Sequence, residues 1–583
     1  MVRPNALPIV AVGDPWHDSA YAVYDGKKLR HVEIERFTRR KYEQVNPLIY
    51  GGISEPDTFR SARIFLFEEG RFLAPLAREL LESKDIDVES RAWQLIETQA
   101  GSLGGSPDAL KLAFDNIVAV LASIQSRRAA VEIFDHHFAH AAHAFVGSPF
   151  EAATVVTLDG GGTHRIGDKQ VQVHGSVYRM ARDRPLPRQA EWVVTDWSPG
   201  WAWTRASNLL GMSFNEAGTV MAMAAFGGRN PELAALVRDD RFWTVCPWDL
   251  SPDHRDDTDK VLERLGEMLT DEASRFALAL ELQIETERRI REFMQPFVEA
   301  DSETNLCLSG GTFLNCIVAG KVQRWFPNVR RVYIPPVPYD AGICLGMLEA
   351  FNHDRRFTDE LAKPNPQRPA SFALGKQYGP VEIVAACRSQ GCADPELRDH
   401  SGIARDIASG MVVAVFHGSS ESGRRALGNR SILCDPRNAA NKDKLNRVIK
   451  KRQWFRPFAP MILAEHVQDW FEVEEGFASP FMSFAAEFRD GRGDLVPAVC
   501  HSDGTARVQT VHASLTPTTH SLLQAWQRVS GIPILLNTSF NDSEPIVETP
   551  SEAVATIVRS GIDRLYFADY GLVVDNPTTG TPS

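Results

Sequence analysis

The chain has few cysteines, no CxxC pair, no long apolar run and no excess of positive charge. Its eight cysteines in 583 residues stand apart, at 246, 307, 316, 344, 387, 392, 434 and 500. That spacing excludes a zinc ribbon or a disulfide framework and reads as reduced thiols of a cytosolic protein. No segment is long and apolar enough to span a bilayer, and the start, "MVRPNALPIVAVGDPWHDS", has too short an apolar run for a signal peptide. A formal charge of −12 argues against broad binding of nucleic acid or anionic membrane, while leaving room for a local basic pocket. Hydrophobic residues at 43% and charged residues at 24% are those of a globular protein, and the length predicts two or three domains.

What is present is a repeated α/β pattern. "PIVAVG" and "SAYAVYDG" read as strands, the second ending in an Asp-Gly hairpin signal. A mostly helical stretch is expected from about 55 to 130. "ATVVTLDGGG" then reads as a buried strand entering a glycine loop. Helical segments around 205–226 and 258–300 precede a second such unit, "NLCLSGGTFLNCIVAGK", and the strand "RVYIPP" leads to a loop and helix in "VPYDAGICLGMLEAF". Strand, glycine loop and helix occurring twice predict an α/β region of two related halves. The charged, proline-rich stretch around 356–370 is the best domain boundary, dividing 1–355 from 371–583.

Four of the 16 histidines fall within "DHHFAHAAHAF" (135–145). On a helix His136 and His140 are one turn apart on one face, with His137 and His143 nearby. Two imidazoles so spaced can chelate a first-row transition metal if oxygen ligands complete the set. Asp159, in "LDGGG", and Asp340, in "PYDAG", stand at strand ends, where α/β folds place ligands. His136, His140, Asp159 and Asp340 are therefore the expected metal site.

"DGGGTH" (159–164) and "SGGTFLN" (309–315) are expected to let backbone N–H groups approach a phosphate, a nucleotide lying between the two halves. Neither is a P-loop or a dinucleotide fingerprint. His17, after the first strand, stands where it can act as a base or be structural. About a dozen cations gather in "ESGRRALGNRSILCDPR" and "KDKLNRVIKKRQWFRPFAP" (421–437 and 442–460) of this acidic chain. Guanidinium forks bind phosphate and carboxylate oxygens. With Arg507 in "HSDGTARVQTV", and Asn537, Ser539 and Asn541 in "LLNTSFNDSEPIV", they predict an anion pocket assembled from three segments.

Taken in order, "HDSAYAV", "ERFTRRK", "HHFAHAA", "LDGGG", "LSGGTFLNC", "YDAGICLG", "RRALGNRSI", "KLNRVIKKRQWFRPFAP", "DGTARVQTV" and "LLNTSFN" resemble the O-carbamoyltransferase family of nodulation protein U and antibiotic-modifying carbamoyltransferases. The resemblance implies an α/β protein with an actin/hexokinase-superfamily N-terminal domain, of the threonylcarbamoyl-transferase type, and a YrdC-like C-terminal domain. It implies that carbamoyl phosphate and ATP (with Mg2+) give carbamoyl-adenylate, whose carbamoyl group passes to a small hydroxylated acceptor. Arg425, Lys450 and Arg507 match the positions that hold carbamoyl phosphate, and Asn537 and Ser539 match the family's polar loop. The metal implied is Fe(II), or another divalent ion, on His136, His140, Asp159 and Asp340. Gly160, Gly161, Gly310, Gly311 and Asn315 would line the nucleotide. His17 becomes the base for the acceptor hydroxyl, and Lys41 the basic residue after the N-terminal motif.

The chain departs from the family pattern in "NEAGTVMAMAAFG" (215–227), where Thr219 replaces a lysine and Ala225-Phe226 replaces Pro-Tyr. Lys41-Tyr42 stands for Lys-His and Arg452-Gln453 for Arg-Glu. Trp192, Trp197, Trp201 and Trp203, close by in sequence, form core or a lid over the acceptor. Transfer to an amine, transfer of another acyl group, and a non-catalytic nucleotide- and metal-binding protein remain the competing readings.

Overall fold

The computed structural model describes residues 8–13, 18–25, 28–41, 131–166, 169–213, 216–244, 252–358 and 372–578, with short pieces between 50 and 125 of which 62–67 and 86–97 are the longest. His17, Cys246 and most of the expected 356–370 boundary lie outside the described residues. The seven described cysteines are all unpaired thiols. Among the described residues no helix is long and apolar enough to cross a membrane.

Two five-stranded sheets share one topology. The first contains β1 (Ile9–Val12), β2 (Ala20–Tyr24), β3 (Leu29–Glu33), β4 (Arg63–Phe67) and β5 (Val131–Phe134), in the order β3-β2-β1-β4-β5. β2 runs antiparallel to both of its neighbours, β1 and β3, whereas β4 and β5 continue parallel to β1. The second contains β6 (Ala152–Ile166), β7 (Lys169–Ala181), β8 (Trp192–Val194), β9 (Thr304–Ser309) and β10 (Val329–Tyr333). Its order, β10-β9-β6-β7-β8, repeats the same antiparallel and parallel pairings. Two related halves are present as one topology used twice, but the two glycine units that suggested them, β6 and β9, are parallel neighbours within the second half alone.

In each half the fifth strand leads toward a helix, His136–Gly147 after β5 and Ile343–Thr358 after β10. These two helices pack against each other around Ala139, Ala142, Ile343 and Met347, all buried. An alanine-rich helix suits this place, since small side chains let two helices approach closely when both are buried all round.

The third sheet gathers β11 (Glu396–Leu397), β12 (Val413–Phe416), β13 (Arg430–Cys434), β14 (Ala459–Leu463), β15 (Phe484–Glu487), β16 (Thr505–Val511), β17 (Ile534–Ser539), β18 (Arg564–Phe567) and β19 (Leu572–Asp575). It is mixed, with order β11-β19-β18-β12-β13-β17-β14-β16-β15. "MVVAVFHG" and "IPILLNTSF" supply β12 and β17 as read from sequence, and "SEAVATIVRSG" lies in the helix Pro550–Ser560. The molecule is mixed α/β throughout.

Two local expectations change. β4 lies inside the stretch read as mostly helical, because "RIFLF" alternates within a sheet that is covered on both faces. "DGGGTH" is not a loop after a strand but part of β6, which continues to Ile166 with a register shift between Leu158 and Gly162. A bulge of this kind leaves the intervening residues off the ladder and free to face a site.

Candidate functional site

The histidine helix starts at Asp135, whose side chain accepts from Phe138 N at 2.8 Å and fixes the first turn. From that turn His136 and His140 project toward Asp159, on the β6 bulge, and Asp340, which opens a 3-10 turn ahead of Ile343–Thr358. His140 Nε2 stands 3.1 Å from Asp159 Oδ2 and 3.2 Å from Asp340 Oδ1. His136 Nε2 lies 3.7 Å from Asp340 Oδ1. One donor atom from each of the four falls within 4.8 Å of every other. All four residues are at most 9% exposed. Two imidazole nitrogens and two carboxylate oxygens converging in a buried space form a donor set that fits a divalent transition metal.

The neighbouring backbone orients Asp159. Gly160 N–H donates to Oδ1 at 2.6 Å and Gly311 N–H to Oδ2 at 3.2 Å. Burial alone would raise this carboxyl, but His140, His136 and the Gly160 N–H hold it well below the usual carboxylate range. The Gly160 carbonyl is in turn held by His174 Nδ1 at 2.7 Å and by Ser198 Oγ at 2.9 Å. His174 and Ser198 were not singled out from sequence, because nothing local marks a residue that touches a backbone carbonyl.

The other two histidines turn away. His137 Nε2 bonds the Val173 carbonyl at 2.8 Å and its Nδ1 bonds Thr157 Oγ1 at 2.7 Å. A carbonyl only accepts, so Nε2 carries the proton and Nδ1 accepts from the threonine. Burial, with His136 adding, pushes His137 down to about 3. His143 Nδ1 meets Glu349 Oε2 at 2.8 Å.

The glycine segments flank the four-residue cluster. Gly310 has φ +95°, and a Cβ there would lie 2.1 Å from the Leu158 carbonyl, so this crossing of β6 admits no side chain. Gly160 and Gly161 lie on the bulge itself. Asn315 caps the helix Cys316–Trp325 by accepting from Val318 N at 3.1 Å, and its Nδ2 donates to Gln283 at 2.8 Å. Its side chain is therefore committed to holding the loop.

The expected anion pocket is a cluster of cations drawn together from distant segments. Arg425 is pushed down to about 9, by burial first and then by Arg507. Arg507 is lowered by burial. Lys450 falls well below the ordinary lysine range through burial, Arg452, Lys41 and Arg456, and Arg452 falls likewise through burial, Arg456 and Arg507. Lys41, exposed at the rim, is lowered by the surrounding protein and by Arg456. Among the described residues no carboxylate pairs with Arg425, Lys450, Arg452 or Arg507. Cations that depress one another in this way lack negative charge, and a bound anion would supply it.

Lys450 is held by Asn541 Oδ1 at 2.5 Å, by the Asn541 carbonyl at 2.9 Å and by Ser539. Asn537 donates to the Ala426 carbonyl at 3.0 Å and to Gln509 at 2.8 Å, which fixes the loop carrying Arg425. Not every cation of the basic run joins the cluster. Arg430 lies 3.5 Å over the Phe416 ring and donates to the His417 carbonyl, and Arg437 pairs with Asp435 at 2.7 Å. Cys316 lies within electrostatic reach of Arg425 and Arg507, so the cation cluster faces the start of its helix.

Comparison with known proteins identifies the family. A family model described as carbamoyltransferase N-terminus matches residues 9–348, and one described as carbamoyltransferase C-terminus matches 404–573. The chain belongs to the carbamoyltransferase family. Nodulation protein NolNO of Sinorhizobium fredii is 30% identical over 583 aligned residues, covering 95% of this chain and 78% of that protein. Nodulation protein NolO of Bradyrhizobium diazoefficiens is 32% identical, covering 74% and 77%. The 3'-hydroxymethylcephem-O-carbamoyltransferase of Streptomyces clavuligerus is 31% identical, covering 56% and 58%.

As a carbamoyltransferase the chain is an enzyme, and within its altered 215–227 segment Ala225 and Phe226 touch the C-terminal part of the chain. Thr219 is buried in the helix Ala217–Ala224. Phe226 packs on Trp454 at 5.1 Å between ring centroids, and Ser502 Oγ donates to the Ala225 carbonyl at 3.1 Å. Of the tryptophans, Trp203 is buried and donates to Thr286 at 3.1 Å, whereas Trp192 is 55% exposed.

Proposed function

We propose that this carbamoyltransferase is an ATP-dependent O-carbamoyltransferase, with residues 371–583 activating the carbamoyl group and residues 1–355 transferring it to a hydroxyl of a small natural product. The observation that carries the reading is the set Arg425, Lys450, Arg452 and Arg507, with Lys450 buried and the three arginines half-buried, cations short of counter-charge. Carbamoyl phosphate and the triphosphate of ATP are substrates of the complementary charge.

In this reading water cleaves carbamoyl phosphate to carbamate and phosphate. A carbamate oxygen then attacks the α-phosphorus of Mg2+-bound ATP, giving carbamoyl-adenylate and pyrophosphate. The acceptor hydroxyl attacks the carbamoyl carbon, the bond to AMP breaks, and the hydroxyl proton leaves to a base, for which His17 is proposed. Arg425 and Arg507 bind and orient the transferred oxygens, Lys450 and Lys41 stabilise charge beside them, and Asn537 and Ser539 hold this arrangement in place. Carbamate decomposes in water, so the chemistry calls for a site that excludes water once the substrates are bound.

Gly160, Gly161, Gly310, Gly311 and Asn315 form the proposed nucleotide wall. His136, His140, Asp159 and Asp340 would hold Fe(II) or another divalent metal, which supplies Lewis acidity for a phosphate or leaving oxygen when bound. The hydroxyl acceptor is supported by the relatives named for 3'-hydroxymethylcephem O-carbamoylation.

The test is incubation of the full chain with ATP, Mg2+, labelled carbamoyl phosphate and a panel of hydroxylated natural products. Pyrophosphate exchange that requires carbamoyl phosphate, and a labelled O-carbamoyl product, are the expected results. ATP left intact when carbamoyl phosphate is present would refute the reading.

A further inference from the structure

We infer that Glu33 and Arg36 are a buried positioning pair that couples the loop of Asp340 to the loop of Arg425, so that an anion at the cation cluster is felt at the four-residue metal cluster. The inference rests on the two sites of the proposed function and adds a link between them.

Glu33 ends β3, and each of its carboxylate oxygens serves a different loop. Oε2 accepts from the hydroxyl of Tyr339, the residue before Asp340, at 3.0 Å. Oε1 accepts from Gly423 N–H, two residues before Arg425, at 2.7 Å. Arg36 lies 3.3 Å from Glu33 Oε1 and donates to the Gly423 carbonyl at 2.6 Å. The pair therefore holds both the N–H and the carbonyl of one residue in the arginine loop. His31, two residues earlier and so on the same face of β3, reaches the Ala341 carbonyl with Nε2 at 2.8 Å.

The two loops also touch each other directly. Arg424 lies 4.6 Å over the Tyr339 ring and pairs with Asp18. Gly423 has φ +95°, and a Cβ there would stand 2.6 Å from the Pro336 carbonyl. Neither loop can shift by much without moving the other or breaking a bond to Glu33.

Stability alone does not account for this pair. Glu33 and Arg36 are only 7% and 4% exposed, and a buried ion pair is seldom more stabilising than apolar residues of the same volume. Burial alone would raise the Glu33 carboxyl, yet Arg36, His31, the Gly423 N–H and the Tyr339 hydroxyl hold it below the usual range, so it stays charged. A rigid carboxylate shared between loops that carry Asp340 and Arg425 transmits displacement through a contiguous hydrogen-bonded path.

The experiment titrates Mn2+ onto the full chain by electron paramagnetic resonance, with and without saturating inorganic phosphate. In the wild type phosphate should change the Mn2+ dissociation constant by about fivefold or more, and Mn2+ should change the phosphate constant by the same factor. Tyr339→Phe removes one hydroxyl and Glu33→Gln removes the charge. Each should cut that factor to about half or less, the direct contacts between the loops carrying the remainder, while affinity for either ligand alone stays within about twofold of wild type, a pattern that general loosening would not produce. Tyr339→Phe decides the matter if Glu33→Gln does not fold. A wild-type factor in Tyr339→Phe, or independent binding of the two ligands to the wild type, overturns the coupling alone. Absence of Mn2+ binding to the wild type overturns the metal reading and the coupling together.

Discussion

His140 and Asp340, 200 positions apart in the chain, meet at 3.2 Å where the two topologically equivalent halves face each other. One stands on the helix after β5 and the other on the turn after β10, the last strands of the two sheets. Duplication of the topology therefore brings the donors together. His140→Ala should weaken divalent metal binding more than about 100-fold, since even changes behind a metal ligand cost up to that much. Metal content of the purified variant, measured by mass spectrometry, checks it. Pyrophosphate exchange should persist, and full metal occupancy would contradict the assignment.

Arg507→Ala removes one of the cations that carry the anion reading. Carbamoyl-phosphate-dependent pyrophosphate exchange should fall about 10²- to 10³-fold, the usual effect of losing one preorganised donor to a charged transition state. Unchanged exchange would place Arg507 outside the chemistry.

His137 predicts a pH dependence of stability. Its folded value of about 3 lies below the ordinary 6.5, so between those values the unfolded chain binds a proton that the folded chain does not. The resulting stability is fully present above pH 6.5 and is lost as pH falls toward 3, by at most about 1.4 kcal/mol per pH unit. Urea unfolding of wild type and His137→Gln across that window should show the difference between them narrowing as pH falls. A constant difference would exclude the effect.

Gly310→Ala places a methyl group where 2.1 Å separates it from the Leu158 carbonyl, at a φ of +95°. Destabilisation should exceed the roughly 1–3 kcal/mol of a strained backbone residue, because the opposing group is backbone and cannot rotate aside. Thermal unfolding measures it, and an unshifted Tm would show that β6 can move.

Asn537→Ala should leave the Ala426 carbonyl and Gln509 without their donor, at a cost of about 1–3 kcal/mol. It should also raise the KM for carbamoyl phosphate by loosening the Arg425 loop. Unfolding curves and steady-state kinetics read the two effects separately.

Much of this was legible in the sequence because it is local. The period of "DHHFAHAAHAF" puts His136 and His140 on one helical face, whereas the recurrence of strand and glycines marks β6 and β9, which pair within one sheet, so the duplication of the halves shows only in the strand order. Concentrated arginine in an acidic chain marks the anion cluster, since solvated charge has no need of "FRPFAP". The "DGGGTH" segment was misjudged because glycines signal turns, and only pairing with β7 carries the strand through them as a bulge.

Residue type and local spacing determined which groups have the chemistry to bind metal or anion; tertiary structure decided which of them come together. His137 and His143 share the helix of His136 and His140 but face Thr157 and Glu349, a choice set by which element packs on each side. Arg430 shares a motif with Arg425 but is absorbed by Phe416 and carbonyl groups, and Lys41 joins a cluster some 400 residues away. Glu33 is an ordinary strand glutamate until the fold sets Tyr339 and Gly423 at its two oxygens. Hydrogen bonds and charge act over a few ångströms, and only the folded chain says which residues are that close.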